Sequence, residues 1–340
     1  MSDVPSTLKA AEPLVSVLMV TYNQEAYVAQ AIEGVLLQRT DFPFELIIGE
    51  DASRDRTLDI ALDYQRQEPN LIRVMPSSQN LGPHKNLQRV VEASRGQFLA
   101  ACDGDDYWIA PDKLSRQVDV LRKRSDVSAV FTNFASTRLE SGIWRVSNTD
   151  ALTADALTSL RGSPRGKSLA GKLRTLTSVY RAEVYKTLYA SSLPLETYPF
   201  LDSFLVAQAL SLGEVEILDF RSAIYRESPQ SATRSSPARN LAVLEGLRDF
   251  LGKFPEFFPK LLPISPAETR EVDIAICKAA FMAGDASAYG KALVRLKETG
   301  LPVPSALRYL MPLMRWPTLR KLSIALRNLG GRTRTWGAGR

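Results

Sequence analysis

"GQFLAACDGDD" occupies residues 96–106 and joins an apolar stretch directly to three carboxylates. The apolar part is typical of a strand that is buried inside a sheet. Asp103, Asp105 and Asp106, which we call the acidic cluster, lie within four positions although like charges repel one another. A solvated turn is one interpretation, but such a turn does not require the two bulky aromatic residues that follow. The place of this cluster in the fold therefore decides its role.

Strand-like and helix-like stretches alternate around the acidic cluster. Further apolar and β-branched stretches predict strands on both sides of it, namely VSVLMV (15–20), FELIIGE (44–50), LIRVM (71–75) and SAVFTNF (128–134). Apolar residues at helical spacing separate these strands, and Asn23 and Ser53 are expected to begin the first two helices. This order predicts an α/β fold with a mostly parallel sheet flanked by helices.

In such a sheet, ligands bind beyond the carboxyl ends of the strands. The acidic cluster follows the fourth predicted strand, Asp51 follows the second, and Thr21, Tyr22 and Asn23 follow the first. We therefore expect these side chains to meet at one edge of the sheet. Carboxylate oxygens suit a hard divalent cation, Mg²⁺ or Mn²⁺, whose other ligands are water and substrate phosphate. The sequence thus predicts a metal–diphosphate site.

Composition and pattern divide the 340 residues into a predicted N-terminal tail (1–13), an α/β half (14–134), a second half (135–238) and a helical, basic C-terminal region (239–340). Residues 135–173 are rich in Ser, Thr, Gly and Arg, which predicts loops or a lid. A Walker-like stretch at 162–168 has the wrong glycine spacing and no preceding strand, so it predicts a flexible basic loop.

The net charge of +6 comes from the C-terminal tail, because eight basic residues and no acidic residue follow Glu298. The rest of the chain carries −2, so no nucleic-acid partner is predicted. Amphipathic spacing within 305–340 predicts helices that either contact an anionic membrane or pack on preceding helices. Two distant cysteines and the lack of a signal-like or membrane-spanning stretch favour a cytoplasmic location, with peripheral contact through this tail.

Five motifs in matching order resemble the family 2 glycosyltransferases of the GT-A fold: VSVLMVTYNQEAYVAQAIEGVLLQ, FELIIGEDASRDRT, NLG, ASRGQFLAACDGDD and PDKLSRQVDVL. The resemblance is dense over about residues 14–134 and patchy to about 235. It implies inverting transfer of a sugar from a nucleotide diphosphate, most often UDP in this family, although the residues do not distinguish UDP from dTDP or GDP. The implied acceptor is a hydroxyl of a saccharide or lipid-linked saccharide in surface-polysaccharide or lipopolysaccharide assembly.

The resemblance also assigns the nucleotide-binding residues. The family's segment after the first strand corresponds to Thr21, Tyr22 and Asn23, and implies that the tyrosine stacks on the nucleobase. The acid that pairs with the base corresponds to Asp51. The family's Arg-Asn pair after NLG is replaced here, so Lys85 is expected to take over its substrate contact, or the contact is lost.

The family's DxD motif corresponds to the DGD of the acidic cluster. It implies that Asp103 faces the ribose and the metal shell and that Asp105 coordinates a divalent cation, Mn²⁺ or Mg²⁺. The additional Asp106 leaves open which of the two later acids holds the cation. Ser228 replaces a family histidine and His84 is the only histidine of the chain, so no imidazole ligand is expected there.

Asp202 matches the family's general base, which lies at the start of a helix and well before a "YR" segment. It would remove the proton of the acceptor hydroxyl as that oxygen attacks, or else it serves only to cap the helix. The stretch YRESPQSATRSSP (225–237) corresponds to a family loop that closes over the diphosphate, which implies that Arg226 or Arg234 contacts phosphate oxygens, unless the stretch is an ordinary linker.

Two other classes stay open. A degenerate fold of the same type would bind a nucleotide sugar or a partner protein without turnover. A nucleotidyltransferase would share the acidic metal site, but it usually begins with a Gly-rich basic loop that VTYNQEAY lacks.

Overall fold

The computed structural model describes residues 12–140, 142–146, 173–198, 200–227, 236–261 and 264–314. The chain divides into two compact units. The first comprises Met1–Thr197 and Leu201–Ser228, and the second comprises Tyr198–Phe200 and Pro229–Arg340. The segment boundaries expected at 134 and 238 stay predictions.

Among the described residues, the first unit is built on a nine-stranded sheet in the order β3-β2-β1-β4-β8-β6-β9-β5, with β7 paired to β6. Its strands are β1 (Val15–Thr21), β2 (Phe44–Glu50), β3 (Ile72–Pro76), β4 (Phe98–Ala101), β5 (Tyr107–Trp108), β6 (Val127–Glu140), β7 (Ile143–Val146), β8 (Val179–Arg181) and β9 (Glu214–Glu227). Its helices are α1 (Val28–Leu36), α2 (Thr57–Gln67), α3 (Pro83–Ala93), α4 (Lys113–Lys123), α5 (Ala182–Tyr189) and α6 (Leu201–Leu212).

The strands β1 to β4 run parallel, as the sequence predicts, and β1 lies between β2 and β4. Val17, Leu18 and Met19 are all buried although they alternate between the two faces of β1, because helices cover both faces. The later strands make the sheet mixed, since β8 runs antiparallel between β4 and β6 and β5 runs antiparallel to β9. The α/β prediction is confirmed.

The first two helices begin later than predicted. α1 begins at Val28 and α2 begins at Thr57, so neither Asn23 nor Ser53 is an N-cap. The Asn23 N–H donates to Oγ of Ser53 (2.9 Å), and Oδ1 of Asn23 accepts from the N–H of Arg54 (2.8 Å). The expected caps therefore join two loops, because β1 and β2 are neighbours and end side by side.

The prediction of loops directly after residue 134 is wrong for residues 135–140 and 143–146, which lie in strands. β6 continues to Glu140, pairs with β9 as far as Glu227, and forms a hairpin with β7. Pairing with a distant strand outweighs the weak local pattern. The rest of the expected lid, residues 147–172 with the Walker-like stretch, lies outside the described residues.

The second unit is helical, as predicted, with helices α7 (Pro237–Phe257), α8 (Pro266–Ala283), α9 (Ala286–Glu298) and α10 (Ser305–Met314). Within it, the buried carboxylate of Asp273 accepts from Nε of Arg248 (3.2 Å) and from Nε of Arg295 (2.7 Å). None of the helices in the described residues combines the length and apolarity that crossing a membrane requires. Most of the predicted amphipathic tail, residues 315–340, lies outside the described residues.

Candidate active site

Hydrogen bonds join the loops after β1 and β2 at the carboxyl edge of the sheet. In addition to the Asn23 contacts, the N–H of Gln24 donates to Oγ1 of Thr57 (2.7 Å). Asn23 and Ala52 both have positive φ angles, 52° and 59°, which is uncommon for residues other than glycine. Tyr22 is 39% exposed, so its ring is accessible at this edge. The structure thus gives Asn23 a loop-bracing position and leaves Tyr22 open for stacking.

Asp51 lies at the end of β2 and is buried. Its two carboxylate oxygens accept from the backbone N–H groups of Leu81 (2.8 Å) and Gly82 (2.9 Å). The Asp51 carbonyl accepts from Nδ2 of Asn80 (3.2 Å). Asp51 therefore fixes the NLG segment that leads into α3, and each oxygen keeps a second lone pair for a further donor.

The acidic cluster forms a tight turn directly after β4. The N–H of Gly104 donates to the carbonyl of Val20 (3.1 Å), and a Cβ at this glycine would lie 2.4 Å from Oε1 of Gln24 and 2.8 Å from Oγ1 of Thr21. Only glycine fits this position. The same Thr21 and Gln24 oxygens are buried and make no hydrogen bond within the described residues. Unused oxygen acceptors therefore face the turn.

The carboxylates of the acidic cluster are crowded and poorly solvated. Burial, followed by the negative charges of Asp105 and Asp202, raises the pKa of Asp103 to about 8. Burial also raises the pKa of Asp105, and burial with the charge of Asp105 raises that of Asp106 well above its ordinary value. A cation would relieve this repulsion, so the donor set fits a hard divalent ion.

Asp202 lies in the first turn of α6. It is close enough to the acidic cluster for its negative charge to raise the pKa of Asp103. Burial raises the pKa of Asp202 itself, and the charge of Arg174 opposes that shift. The structure thus brings Asp202 near Asp103 and Asp105, although Asp202 follows them by more than 90 positions in sequence.

Two of the predicted basic substrate contacts, Lys85 and Arg226, have protein partners. Lys85 lies in α3, and its ammonium is 3.5 Å from a carboxylate oxygen of Glu196. Both line a cleft of about 300 Å³ that also includes Tyr189 and Gln88. Arg226 is buried, and its guanidinium donates to the carbonyl of Asp105. Arg234 lies outside the described residues.

Two basic residues near the site were not anticipated from the sequence. Arg174 packs with its Cζ 4.7 Å from the ring centroid of Tyr225, and its Nε is buried without a hydrogen-bond partner in the described parts of the chain. Lys113 is fully buried, with Nζ 4.1 Å from the ring centroid of Trp108. Lys113 lies in the PDKL motif, but nothing local marks Arg174, whose neighbours Tyr225 and Asp202 lie on β9 and α6.

Within the described residues, no group of three or more His, Cys, Asp or Glu side chains is placed so that it could hold a metal ion. The acidic cluster would therefore supply only part of a coordination shell, as is usual when substrate phosphates and water supply the rest.

Residues 16–185 match the model of the family described as "Glycosyl transferase family 2". The chain belongs to this family. An uncharacterized protein of Mycobacterium tuberculosis is 33% identical over 216 residues, which are 62% of this chain and 58% of that relative, so the match spans less than two thirds of its length. A protein of Bacillus subtilis named putative teichuronic acid biosynthesis glycosyltransferase TuaG is 33% identical over 114 residues, 34% of this chain and 44% of TuaG.

Solved structures share the fold at low sequence identity. TarS residues 1–349 of S. aureus, in complex with UDP-GlcNAc, has a TM-score of 0.55 and 18% identity over 91% of this chain and 88% of that chain. The mannosyltransferase PcManGT of Pyrobaculum calidifontis, in complex with GDP-Man and Mn²⁺, has a TM-score of 0.52 and 17% identity over 95% and 88%. The predictions of family 2 and of the GT-A fold are confirmed.

Proposed function

We propose that this protein is an inverting glycosyltransferase that moves a sugar from a nucleotide diphosphate, in the first instance a UDP-sugar, to an acceptor hydroxyl. The observation that carries the proposal is that Asp105 and Asp202 lie close enough to Asp103, at the carboxyl edge of the sheet, for their negative charges to raise its pKa. Carboxylates with raised pKa values in one place are typical of catalytic sites, and structural carboxylates are more often paired with bases.

Asp202 is the proposed general base. Burial raises the pKa of Asp202 toward neutral pH. The carboxylate is therefore a stronger base for the proton of the acceptor hydroxyl. Its position in the first turn of α6 fixes the carboxylate relative to the acidic cluster. Asp202 would take the proton as the acceptor oxygen attacks the anomeric carbon from the face opposite the diphosphate.

Asp103 and Asp105 are the proposed ligands of a divalent cation, which would supply neutralisation of the charge on the departing diphosphate. Asp106 is less suited, because it is buried and its Oδ1 accepts from the N–H of Arg226 (2.7 Å). The Mn²⁺ bound to the mannosyltransferase that shares the fold supports this choice.

Tyr22 and Asp51 are the proposed nucleobase contacts, by stacking and by a hydrogen bond to a remaining lone pair. Thr21 and Asn23 would hold this edge in place, and Lys85 would contact the substrate from the cleft that it lines. The relative named for teichuronic acid biosynthesis supports a saccharide or lipid-linked acceptor in surface-polysaccharide assembly.

The test is release of nucleoside diphosphate from UDP-glucose, UDP-galactose, UDP-GlcNAc, dTDP-glucose and GDP-mannose, with Mn²⁺ or with EDTA. We expect at least one donor to turn over only with Mn²⁺. Asp105→Asn should weaken donor binding about 10- to 100-fold, whereas Asp106→Asn should chiefly lower the melting temperature. Tight binding of a donor without any turnover would contradict the proposal and favour a non-catalytic binder.

A further inference from the structure

Arg226 lies in an aromatic enclosure beside the acidic cluster. The residue is only 5% exposed, and its Cζ lies 4.7 Å from the ring centroid of Tyr27, 4.9 Å from that of Tyr107 and 5.5 Å from that of Trp144. These rings come from the start of α1, from β5 and from β7. A desolvated guanidinium is attracted to such ring faces by about 2 kcal/mol or more in favourable cases. The enclosure therefore holds the guanidinium in one place.

The polar contacts of Arg226 hold the acidic turn at two points. The guanidinium donates to the carbonyl oxygen of Asp105 and to Oε1 of Gln30. The backbone N–H of Arg226 donates to Oδ1 of Asp106 (2.7 Å). Within the turn, the N–H of Asp106 donates to the carbonyl of Asp103 (3.0 Å). Arg226 thus fixes the backbone of Asp105 in two ways: its side chain binds the Asp105 carbonyl, and its backbone binds the side chain of the next residue, Asp106.

We propose that Arg226 is a positioning residue, which aims the Asp105 carboxylate at the cation without touching the phosphates of the substrate. This role rests on the proposed function and replaces the phosphate contact that the family resemblance implies. Two donors of the guanidinium, on Nη1 and Nη2, bind protein acceptors, and aromatic rings surround the group. A phosphate contact would require the charge to leave this enclosure. Residues that orient metal ligands typically change metal affinity 10- to 100-fold.

Arg226→Lys tests the role most directly. Lysine keeps a positive charge among the rings, but its single ammonium lacks the planar fork that reaches both Asp105 and Gln30. The dissociation constant of Mn²⁺ alone, measured on the full chain by loss of the free-ion paramagnetic resonance signal, should rise about 10- to 100-fold. The dissociation constant of UDP in EDTA should stay within about twofold of the wild-type value, because no phosphate contact is removed.

Two further variants separate positioning from general damage. Arg138→Lys changes an arginine on β6 whose side chain is 67% exposed, and it should bind Mn²⁺ like the wild type. Trp144→Leu removes one ring of the enclosure from the hairpin strand β7 and should weaken Mn²⁺ binding about threefold. If Arg226→Lys does not fold, Trp144→Leu decides, and unchanged Mn²⁺ binding then overturns the proposal.

The two proposals fail differently. If Arg226→Lys binds Mn²⁺ normally but binds UDP weakly in EDTA, Arg226 is a phosphate ligand and only the positioning role is overturned. If the wild-type protein binds no Mn²⁺ with or without UDP, the cation of the proposed function is wrong, and the positioning role is overturned with it.

Discussion

Trp108 shows at the scale of single residues why aromatic side chains follow the acidic cluster. Trp108 is buried, and its indole N–H donates to the carbonyl of Leu176 (2.8 Å), so it anchors the turn to the core. Tyr107 forms part of the enclosure around Arg226. The sequence indicated that these aromatics were unusual in a solvated turn. It could not indicate their partners, because the partners lie in elements distant along the chain.

Because Lys113 is buried against Trp108, we expect the unfolding free energy to depend on pH. Burial lowers the pKa of Lys113 to about 7, from an ordinary value of 10.5. Protonation of a buried base destabilises the fold, so the contribution of Lys113 to the unfolding free energy decreases as the pH falls from 10.5 to 7 and is constant below 7. Lys113→Met removes this dependence, and at pH 6 it should be the more stable protein by at least about 1 kcal/mol.

Urea unfolding of both proteins at pH 6, 8 and 9.5 measures this difference. The advantage of Lys113→Met should shrink as the pH rises. Lys123→Met, on the same helix but with a side chain that is 71% exposed, is the matched control and should show no such trend. Parallel pH profiles of the unfolding free energy for wild type and Lys113→Met would contradict the prediction, because they would mean that folding does not lower the pKa of Lys113.

At the scale of elements, the parallel strands were predictable and the connections between them were only partly so. The strands β1, β2 and β4 are rich in buried apolar residues, as is typical of a sheet covered on both faces. The starts of α1 and α2 were misplaced, because Asn23 and Ser53 bind each other across two loops and not their own helices. The continuation of β6 was missed because its partner is a strand about 90 positions away.

The hydrogen bonds of Asp51 connect the end of β2 to the start of α3, and we expect their loss to be measurable. In Asp51→Asn, one acceptor oxygen becomes an NH₂ group that faces the N–H of Leu81 or Gly82. Loss of one buried hydrogen bond between donor and acceptor should lower the unfolding free energy by about 1–3 kcal/mol. Hydrogen exchange at residues 81 and 82 should become faster, as measured by mass spectrometry on overlapping peptides.

Asp63→Asn is the control for this variant, because Asp63 lies on α2 with a side chain that is 53% exposed. It should leave exchange at residues 81 and 82 unchanged. If hydrogen exchange at residues 81 and 82 is as slow in Asp51→Asn as in the wild type, the carboxylate does not stabilise this segment.

At the scale of the whole molecule, the two units differ in how much the sequence revealed. The first unit carries the family motifs, so its fold and the carboxylates of its site were predictable. The roles of Arg226, Arg174 and Lys113 were not, because each depends on rings or charges that only the folded chain brings near. The second unit was predictable as helices from its periodicity, but no motif indicates what it binds.

The most direct measurement is nucleotide release by Asp202→Asn, with Mn²⁺ and the donor on which the wild type is most active, beside the dissociation constant of that donor. Removal of a general base should lower the rate about 10²- to 10⁴-fold and leave the dissociation constant within about threefold. Wild-type turnover by Asp202→Asn would contradict the assignment of Asp202 as the base of this site.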